Sequence, residues 1–342
     1  MLGDMVECPI NSFSDQPYLI MSRMTKLHHT LLVVCTVGCM AVCPPSEDLG
    51  PCQCHEDSNG IPALQCQDVT GWEEMESIFT DLGLTYVSSV DIISSPGLTD
   101  LPPLAFADVK IDAIRFYNTG LIYLNKEVFS VVTASGLQSL YIKYNSDFTT
   151  LENDVLAFLP VLETFYCSHN QLGSLSGVLE STSVPYMDLG HNEISSISAN
   201  YFSGAQNLSQ LLMPFNKLTT ESLGPESLTF SGNEEDMYLD LAWNQLSEGV
   251  HPSAFGGRMA KELILSHNNI TTLNQDTFAA ILDQMFLEYG SDAYILLDSN
   301  ELGCDCDMSW VVSHTARGLL QQAECTDGRL VSGLTVQDFQ NC

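Results

Sequence analysis

Apolar residues recur along most of this chain in a pattern that is neither helical nor a simple alternation. In "LILSHNNITTL" (263–273), Leu263, Leu265, Ile270 and Leu273 are apolar, and an amide, Asn268, stands among them. The arrangement of "MAKELILSHNNITTL" returns in "SVPYMDLGHNEISSI", "VLETFYCSHNQLGSL" and "NLSQLLMPFNKL". Aligned, these stretches share L-x-x-L-x-L-x-x-N-x-L-x-x-L. Asn145, Asn170, Asn192, Asn216, Asn244, Asn268 and Asn300 fill the polar position, at spacings of 25, 22, 24, 28, 24 and 32 residues. Upstream, Ser95 and Thr119 hold it in two degenerate copies (87–92 and 111–116). About nine repeats therefore cover residues 86–302. Each predicts one strand of four or five residues with period-two alternation. A helical array would need a 3.6-residue period, and a propeller four strands per unit.

The template and its period are those of a leucine-rich repeat. One such unit cannot bury its own apolar face, so stability comes from stacking on neighbours. The expected fold is α/β: a right-handed leucine-rich repeat horseshoe with a parallel concave sheet and an irregular or short-helical convex side. The first, fourth and sixth positions point inward. The asparagine lies where the chain leaves the strand, where buried backbone groups need partners, and its amide supplies donors and an acceptor. Ser95 and Thr119 supply only part of this, so a less regular N-terminal end is expected. Phe129, Phe202, Phe255 and Phe278 recur about ten residues after the polar position. Cys167 falls at a sixth position and reads as a small apolar residue rather than a nucleophile.

Charge narrows the partners. The 342 residues include 43 Asp+Glu against 11 Lys+Arg, a formal charge of −32. That opposes nucleic-acid binding and docking on anionic membranes, and the acidic residues are spread as a solvated surface would spread them. From Met21, "MSRMTKLHHT" followed by "LLVVCTVGCMA" reads as a signal peptide over 21–41, too short to span a bilayer. Residues 1–20 form an extra N-terminal segment outside that pattern, and Met21 or Met24 is the alternative start. No later stretch approaches a membrane span. A secreted, extracellular protein is expected.

Of 12 cysteines, Cys8, Cys35 and Cys39 lie in the part expected to be lost. Four cluster early (Cys43, Cys52, Cys54, Cys66) and four late (Cys304, Cys306, Cys325, Cys342), as stapled caps over the two ends of a repeat array would require. An N-terminal cap is expected over 42–85 and a C-terminal cap over 303–342. Zinc is the weaker reading, because C-x-C is not the usual ligand spacing and an oxidising compartment favours disulfides.

In "CPPSEDLGPCQC" and "LGCDCDMSWVV" the caps resemble the cysteine-rich flanks of extracellular leucine-rich repeat proteins. That resemblance implies bridges from first to third and second to fourth cysteine: Cys43–Cys54, Cys52–Cys66, Cys304–Cys325 and Cys306–Cys342. Together with "LQCQDVTGWEEMESIF" and "AECTDGRLVSGLTVQDFQNC", nearly all of 42–342 resembles arthropod, largely crustacean, secreted proteins of the oplophorus-luciferin 2-monooxygenase non-catalytic subunit family. The resemblance implies secretion, no catalysis, no cofactor, and an accessory role beside a separate light-producing subunit.

Function is sought on the concave face, where repeat proteins bind. The residues just before the polar position run Ser94, Asn118, Tyr144, His169, His191, Phe215, Trp243, His267 and Ser299. A second outward column holds Asp91, Arg115, Tyr141, Tyr166, Asp188, Leu212, Asp240, Ile264 and Leu296, with Tyr117, Tyr186 and Tyr238 nearby. Nine strands make a face about 40 Å long. Aromatic residues are favoured interface anchors, so Tyr141, Tyr144, Tyr166, His169, His191, Phe215, Trp243 and His267 are the candidate binding residues for an extracellular protein or a glycan. The competing reading is a ring ladder that packs on itself and merely finishes the sheet. His169, His191 and His267 raise a metal or pH-sensitive stripe, but the pattern places no carboxylate or fourth ligand beside them, and no metal is expected. Catalytic motifs are absent: "GSLSG" (173–177) lacks the central serine of a nucleophile elbow, and there is no zinc-protease helix, P-loop or dinucleotide fingerprint. Asn207-Leu-Ser and Asn269-Ile-Thr are glycosylation sequons. The sequence thus leaves two classes open, an accessory subunit of an extracellular complex and a free recognition or matrix protein in immunity or adhesion.

Overall fold

The computed structural model describes residues 43–342 except 181, 183 and 232–235. The expected signal peptide, the segment before it, and Cys8, Cys35 and Cys39 lie outside the described residues.

The strands follow the repeats. In chain order they are β1 (Cys52–Glu56), β2 (Pro62–Gln67), β3 (Tyr86–Ser95), β4 (Lys110–Thr119), β5 (Tyr123–Leu124), β6 (Ser139–Lys143), β7 (Thr150–Leu151), β8 (Thr164–Tyr166), β9 (Tyr186–Asp188), β10 (Gln210–Leu212), β11 (Tyr238–Asp240), β12 (Glu262–Ile264), β13 (Tyr294–Leu296) and β14 (Leu320–Gln321). All but β5 and β7, which pair with each other, form one twelve-stranded sheet in sequence order. β1 and β2 are an antiparallel hairpin, and every later neighbour is parallel. Each strand of the main sheet from β3 to β13 supplies one of the nine repeats. In the opening stretch Leu263, Leu265, Ile270 and Leu273 are all fully buried, stacked with their counterparts in one continuous core. Phe129, Phe202, Phe255 and Phe278 fill the opposite side of that core.

The corner chemistry is more specific than the pattern implied. In all nine repeats the residue before the polar position has a positive φ, from 48° at Ser94 to 61° at Tyr144. That left-handed turn bends the chain out of the strand and leaves carbonyls pointing inward. The asparagine answers them in two repeats at once. Asn216 Nδ2 donates to Met213 O (3.1 Å) and Pro214 O (3.3 Å) in its own repeat and to Leu189 O (3.0 Å) in the previous one. Its Oδ1 accepts from Ile194 N, again in the previous repeat (3.0 Å). Asn192, Asn244, Asn268 and Asn300 repeat this scheme. The amide therefore closes its own corner and also ties each repeat to the one before it.

The N-terminal end departs from expectation. β3 and β4, which carry Ser95 and Thr119, are the longest strands, with ten residues each, and pair from Tyr86↔Lys110 to Ser95↔Thr119. A hydroxyl has one donor where an amide has two, so it answers fewer of the corner's carbonyls. Regular backbone pairing runs through the corner instead. Ser95 Oγ accepts from Val69 N (3.0 Å), and Thr119 Oγ1 donates to Asn145 Oδ1 (2.6 Å).

The outer side is mostly single turns of 3-10 helix, with the short helices α1 (Glu76–Thr80) and α2 (Val131–Gly136). The exception is α3 (Gln275–Tyr289), 15 residues capped by Asn274, whose side chain accepts from Asp276 N. It lies within the 32-residue interval between Asn268 and Asn300, the longest in the array. It buries Phe278, Ile281, Leu282 and Met285, a spacing that suits one helical face.

Both ends are stapled. Disulfides join Cys43–Cys54, Cys52–Cys66, Cys304–Cys325 and Cys306–Cys342. Cys167 is free and fully buried, with its thiol pushed far above the usual thiol range by desolvation, and so behaves as packing.

Asn216→Ala should lower stability by about 3 kcal/mol or more, because it strands a buried N–H and buried carbonyls together. Lys217→Ala, one residue on and exposed, should change it by no more than about 0.5 kcal/mol. Urea midpoints of the two variants check the contrast.

Candidate functional site

The concave face carries two ring systems, placed by different positions of the repeat. The first is the corner column. Its left-handed backbone lifts each side chain onto the edge of the sheet, one above the next. Tyr144 stacks on His169 (ring centroids 4.4 Å), His169 on His191 (4.0 Å), His191 on Phe215 (4.2 Å), Phe215 on Trp243 (4.9 Å) and Trp243 on His267 (3.8 Å). All five contacts are within 19° of parallel. The rings cover one another's faces and turn their edges outward. Even so, Tyr144 is 54 % exposed, Phe215 41 % and Trp243 46 %. The column is thus a self-packed ladder and an exposed aromatic ridge at once.

The second system lies on the strands. Tyr141 and Tyr166 stack at 4.7 Å, with Tyr117 at 6.3 Å on one side and Tyr186 at 5.0 Å on the other. Two cations sit over these rings. The Arg115 guanidinium lies 5.0 Å from the Tyr141 centroid and 2.7 Å from Asp91 Oδ1. Lys143 Nζ lies 4.4 Å from the Tyr166 centroid and 3.8 Å from Asp188 Oδ2. The residue pattern pointed to the rings and to Asp188, but not to Lys143. Its signal was its register: it precedes Tyr144, two residues beyond Tyr141, on the same outward alternation.

Between the ring ladder and the strand column runs a floor of small residues: Ser168, Gly190, Pro214, Ala242 and Ser266. Small side chains there leave the ridge standing proud of the sheet.

The three ladder histidines occupy two environments. His169 and His191 are adjacent and parallel, with their faces spent on stacking. His267 sits two rings away, and its Nε2 is 3.8 Å from Asp298 Oδ2. Among the described residues, no group of three His, Cys, Asp or Glu side chains could hold a metal ion. Burial, then His191 and Lys143, hold the His169 imidazole below its ordinary pKa, partly opposed by Asp188. Both sequon asparagines are exposed, Asn207 three residues before β10 and Asn269 five residues after β12. Among the described residues no helix is long and apolar enough to cross a membrane.

Comparison with known proteins agrees with this architecture. No family model matches the chain. Human trophoblast glycoprotein superposes with a TM-score of 0.52 at 16 % identity, covering 87 % of this chain and 99 % of that one. FLRT2, a leucine-rich repeat protein solved in an octameric complex with latrophilin 3 and Unc5D, gives 0.55 at 17 %, over 84 % and 98 %. The fold is a leucine-rich repeat solenoid. In sequence, the oplophorus-luciferin 2-monooxygenase non-catalytic subunit of Oplophorus gracilirostris is 21 % identical over 79 % of each chain. Lumican of Gallus gallus is 26 % identical over 43 % of this chain, which spans about 45 % of lumican's own length. Nothing in these relatives points to catalysis, and the one matching most of the chain is itself a non-catalytic subunit.

The ladder should be sensitive to acid. A histidine whose folded pKa is depressed contributes stability that is fully present above its unfolded value, about 6.5, and lost as the pH falls through the folded one. The melting temperature should fall between about pH 7.5 and about pH 5. The fall should be smaller in His169→Phe, a substitution this backbone tolerates, since Phe215 holds the same left-handed φ. Thermal melts at the two pH values check it.

Proposed function

We propose that this protein is a secreted, non-catalytic binding protein that docks a protein partner on its concave face, and that it acts as an accessory subunit of an extracellular complex. The observation that carries the reading is the ladder from Tyr144 to His267. A left-handed corner costs a bulky residue about 1–2 kcal/mol, and glycine or asparagine would fill it more cheaply. Six consecutive corners hold rings instead, and three of those rings stay strongly exposed. Exposed aromatic surface of this extent is a mark of interaction sites. Tyr141 and Tyr166 extend the patch inward.

The ring orientation favours a protein over a glycan. Sugars stack on aromatic faces, and along the ladder the faces are already covered. A protein surface can pack against edges and reach the imidazole nitrogens. The four disulfides suit an oxidising compartment, and the signal-like stretch over 21–41 supplies the route there. Similarity to the non-catalytic subunit of Oplophorus gracilirostris supports the accessory-subunit role. N-glycans at Asn207 and Asn269 belong to the same reading, and glycosidase treatment of the secreted protein should then lower its mass.

Similarity to lumican, and to mouse podocan at 30 % identity over 45 % of the chain, supports a second reading as a free matrix or recognition protein. Cofractionation separates the two. A partner at constant ratio favours the accessory subunit, and capture that depends on an added ligand favours the free protein.

Replacing Tyr166, Phe215 and Trp243 together with serine should abolish recovery of the partner from native tissue while circular dichroism stays unchanged. Undiminished recovery by the folded variant would contradict the reading.

A further inference from the structure

On the strands toward the C-terminal half, the outward side chains do not form a continuous wall. Tyr186 on β9 and Tyr238 on β11 share one register, and the residue between them on β10 is Gln210. The two tyrosines are half-buried and the glutamine is exposed. The result is a slot of about 420 Å³ lined by Tyr186, Gln210, Leu212, Asp236, Tyr238 and Glu262. Its lining is two aromatic side chains, two neutral ones and two carboxylates.

The spacing of the walls is set by the sheet. Two strand separations come to about 9.6 Å. Two consecutive ring contacts at the close end of the usual range, about 4.5–5 Å each, come to about 9–10 Å. The gap therefore takes one planar group, once the exposed Gln210 side chain turns aside, about 4.8 Å from each ring and inside the range over which a cation is held by an aromatic face.

The charge around the slot is unbalanced. Asp188 and Asp240 occupy the next outward position on the strands of Tyr186 and Tyr238, and Asp236 and Glu262 line the slot itself. Asp188 faces Lys143, and Asp236 faces Lys261. Glu262 accepts from the Tyr294 hydroxyl, and Asp240 Oδ1 accepts from Ala242 N. Four carboxylates thus stand against two lysines. Burial and then the carboxylates of Asp240 and Glu262 push the Tyr238 phenol above its usual range, which fits a locally negative site. A neutral planar ligand would leave this excess uncompensated. A guanidinium would stack on both rings and reach carboxylates with donors on its edges.

The geometry points to the Tyr186–Tyr238 slot as a receptor for an arginine side chain of the partner, held between the two rings with Asp240 and Glu262 as counter-charges. This deepens the concave-face reading by naming a chemistry the partner presents there. It uses a different set of residues from the ring ladder, so the two stand or fall separately.

The test is titration of the disulfide-intact protein, labelled with fluorotyrosine, with N-acetyl-arginine N-methylamide, followed by fluorine NMR. Tyr186→Phe and Tyr238→Phe assign the two signals among the 12 tyrosines. Arginine should shift the Tyr186 and Tyr238 signals saturably and leave Tyr144 unmoved. The uncharged citrulline analogue should bind at least tenfold more weakly. Asp240→Asn, which keeps the acceptor for Ala242 N, should weaken arginine several-fold. Gln210→Trp should fill the slot and abolish the shifts. The Phe215→Ser, Trp243→Ser double variant, which leaves Tyr166 packed against Tyr186, should retain arginine binding, which separates failure of the slot from failure of the ladder. Equal binding of citrulline, shifts spread over unrelated tyrosines, or undiminished binding by Gln210→Trp would overturn the assignment.

Discussion

At the corner of each of the nine repeats the chain turns through a left-handed residue, and backbone carbonyls are left facing the interior. Buried carbonyls without donors are costly, and the next residue, an asparagine in seven of nine repeats, supplies those donors. Because its Nδ2 also reaches the previous repeat and its Oδ1 accepts from that repeat's backbone, the same side chain sets the register between neighbours. The parallel pairing, the alignment of inward leucines and the alignment of outward columns all follow from that fixed step. A solenoid lives on nearest-neighbour contacts, and here each contact includes a repeated polar tie as well as apolar stacking.

The ring ladder is the visible consequence. Once corners are held in register, whatever occupies the left-handed position is stacked on its counterpart one strand away. Ring pairs of this kind are worth about 0.5–1.5 kcal/mol each, comparable with the backbone strain of the corner they occupy. Stacking can thus offset strain, which explains how rings are tolerated there. It does not explain their exposure or the smaller residues at either end, Asn118 and Ser299. The ridge is confined to the six central corners, beside the Tyr141–Tyr166 stack and the acidic slot, and that coincidence supports a docking surface over a structural finish.

Much of the fold was legible in the residues. Asn268 and its six equivalents gave the repeat length, and the terminal cysteines marked the caps. The 32-residue interval is where α3 lies, but the repeat pattern did not specify a helix there. What stayed hidden was conformational. No letter code announces that Tyr144, Phe215 and Trp243 have positive φ, because such residues rarely do. The long β3 and β4 ran against expectation, because backbone pairing extends along the strands where Ser95 and Thr119 offer fewer donors than an amide. In the site, the columns gave the ladder's members and their order, but not that their faces are mutually covered. The slot was invisible because it depends on what Gln210 and Leu212 fail to fill.

The central claim is that the concave ridge, built by the asparagine-tied corners, is the docking surface. Hydroxyl-radical footprinting of the native protein, alone and in the complex with which it cofractionates, tests it most directly. The account predicts protection concentrated at Tyr144, Phe215 and Trp243, with the exposed outer residues Phe286 and Leu287 of α3 oxidised equally in both states. Protection of Phe286 and Leu287, with the ridge unchanged, would contradict it.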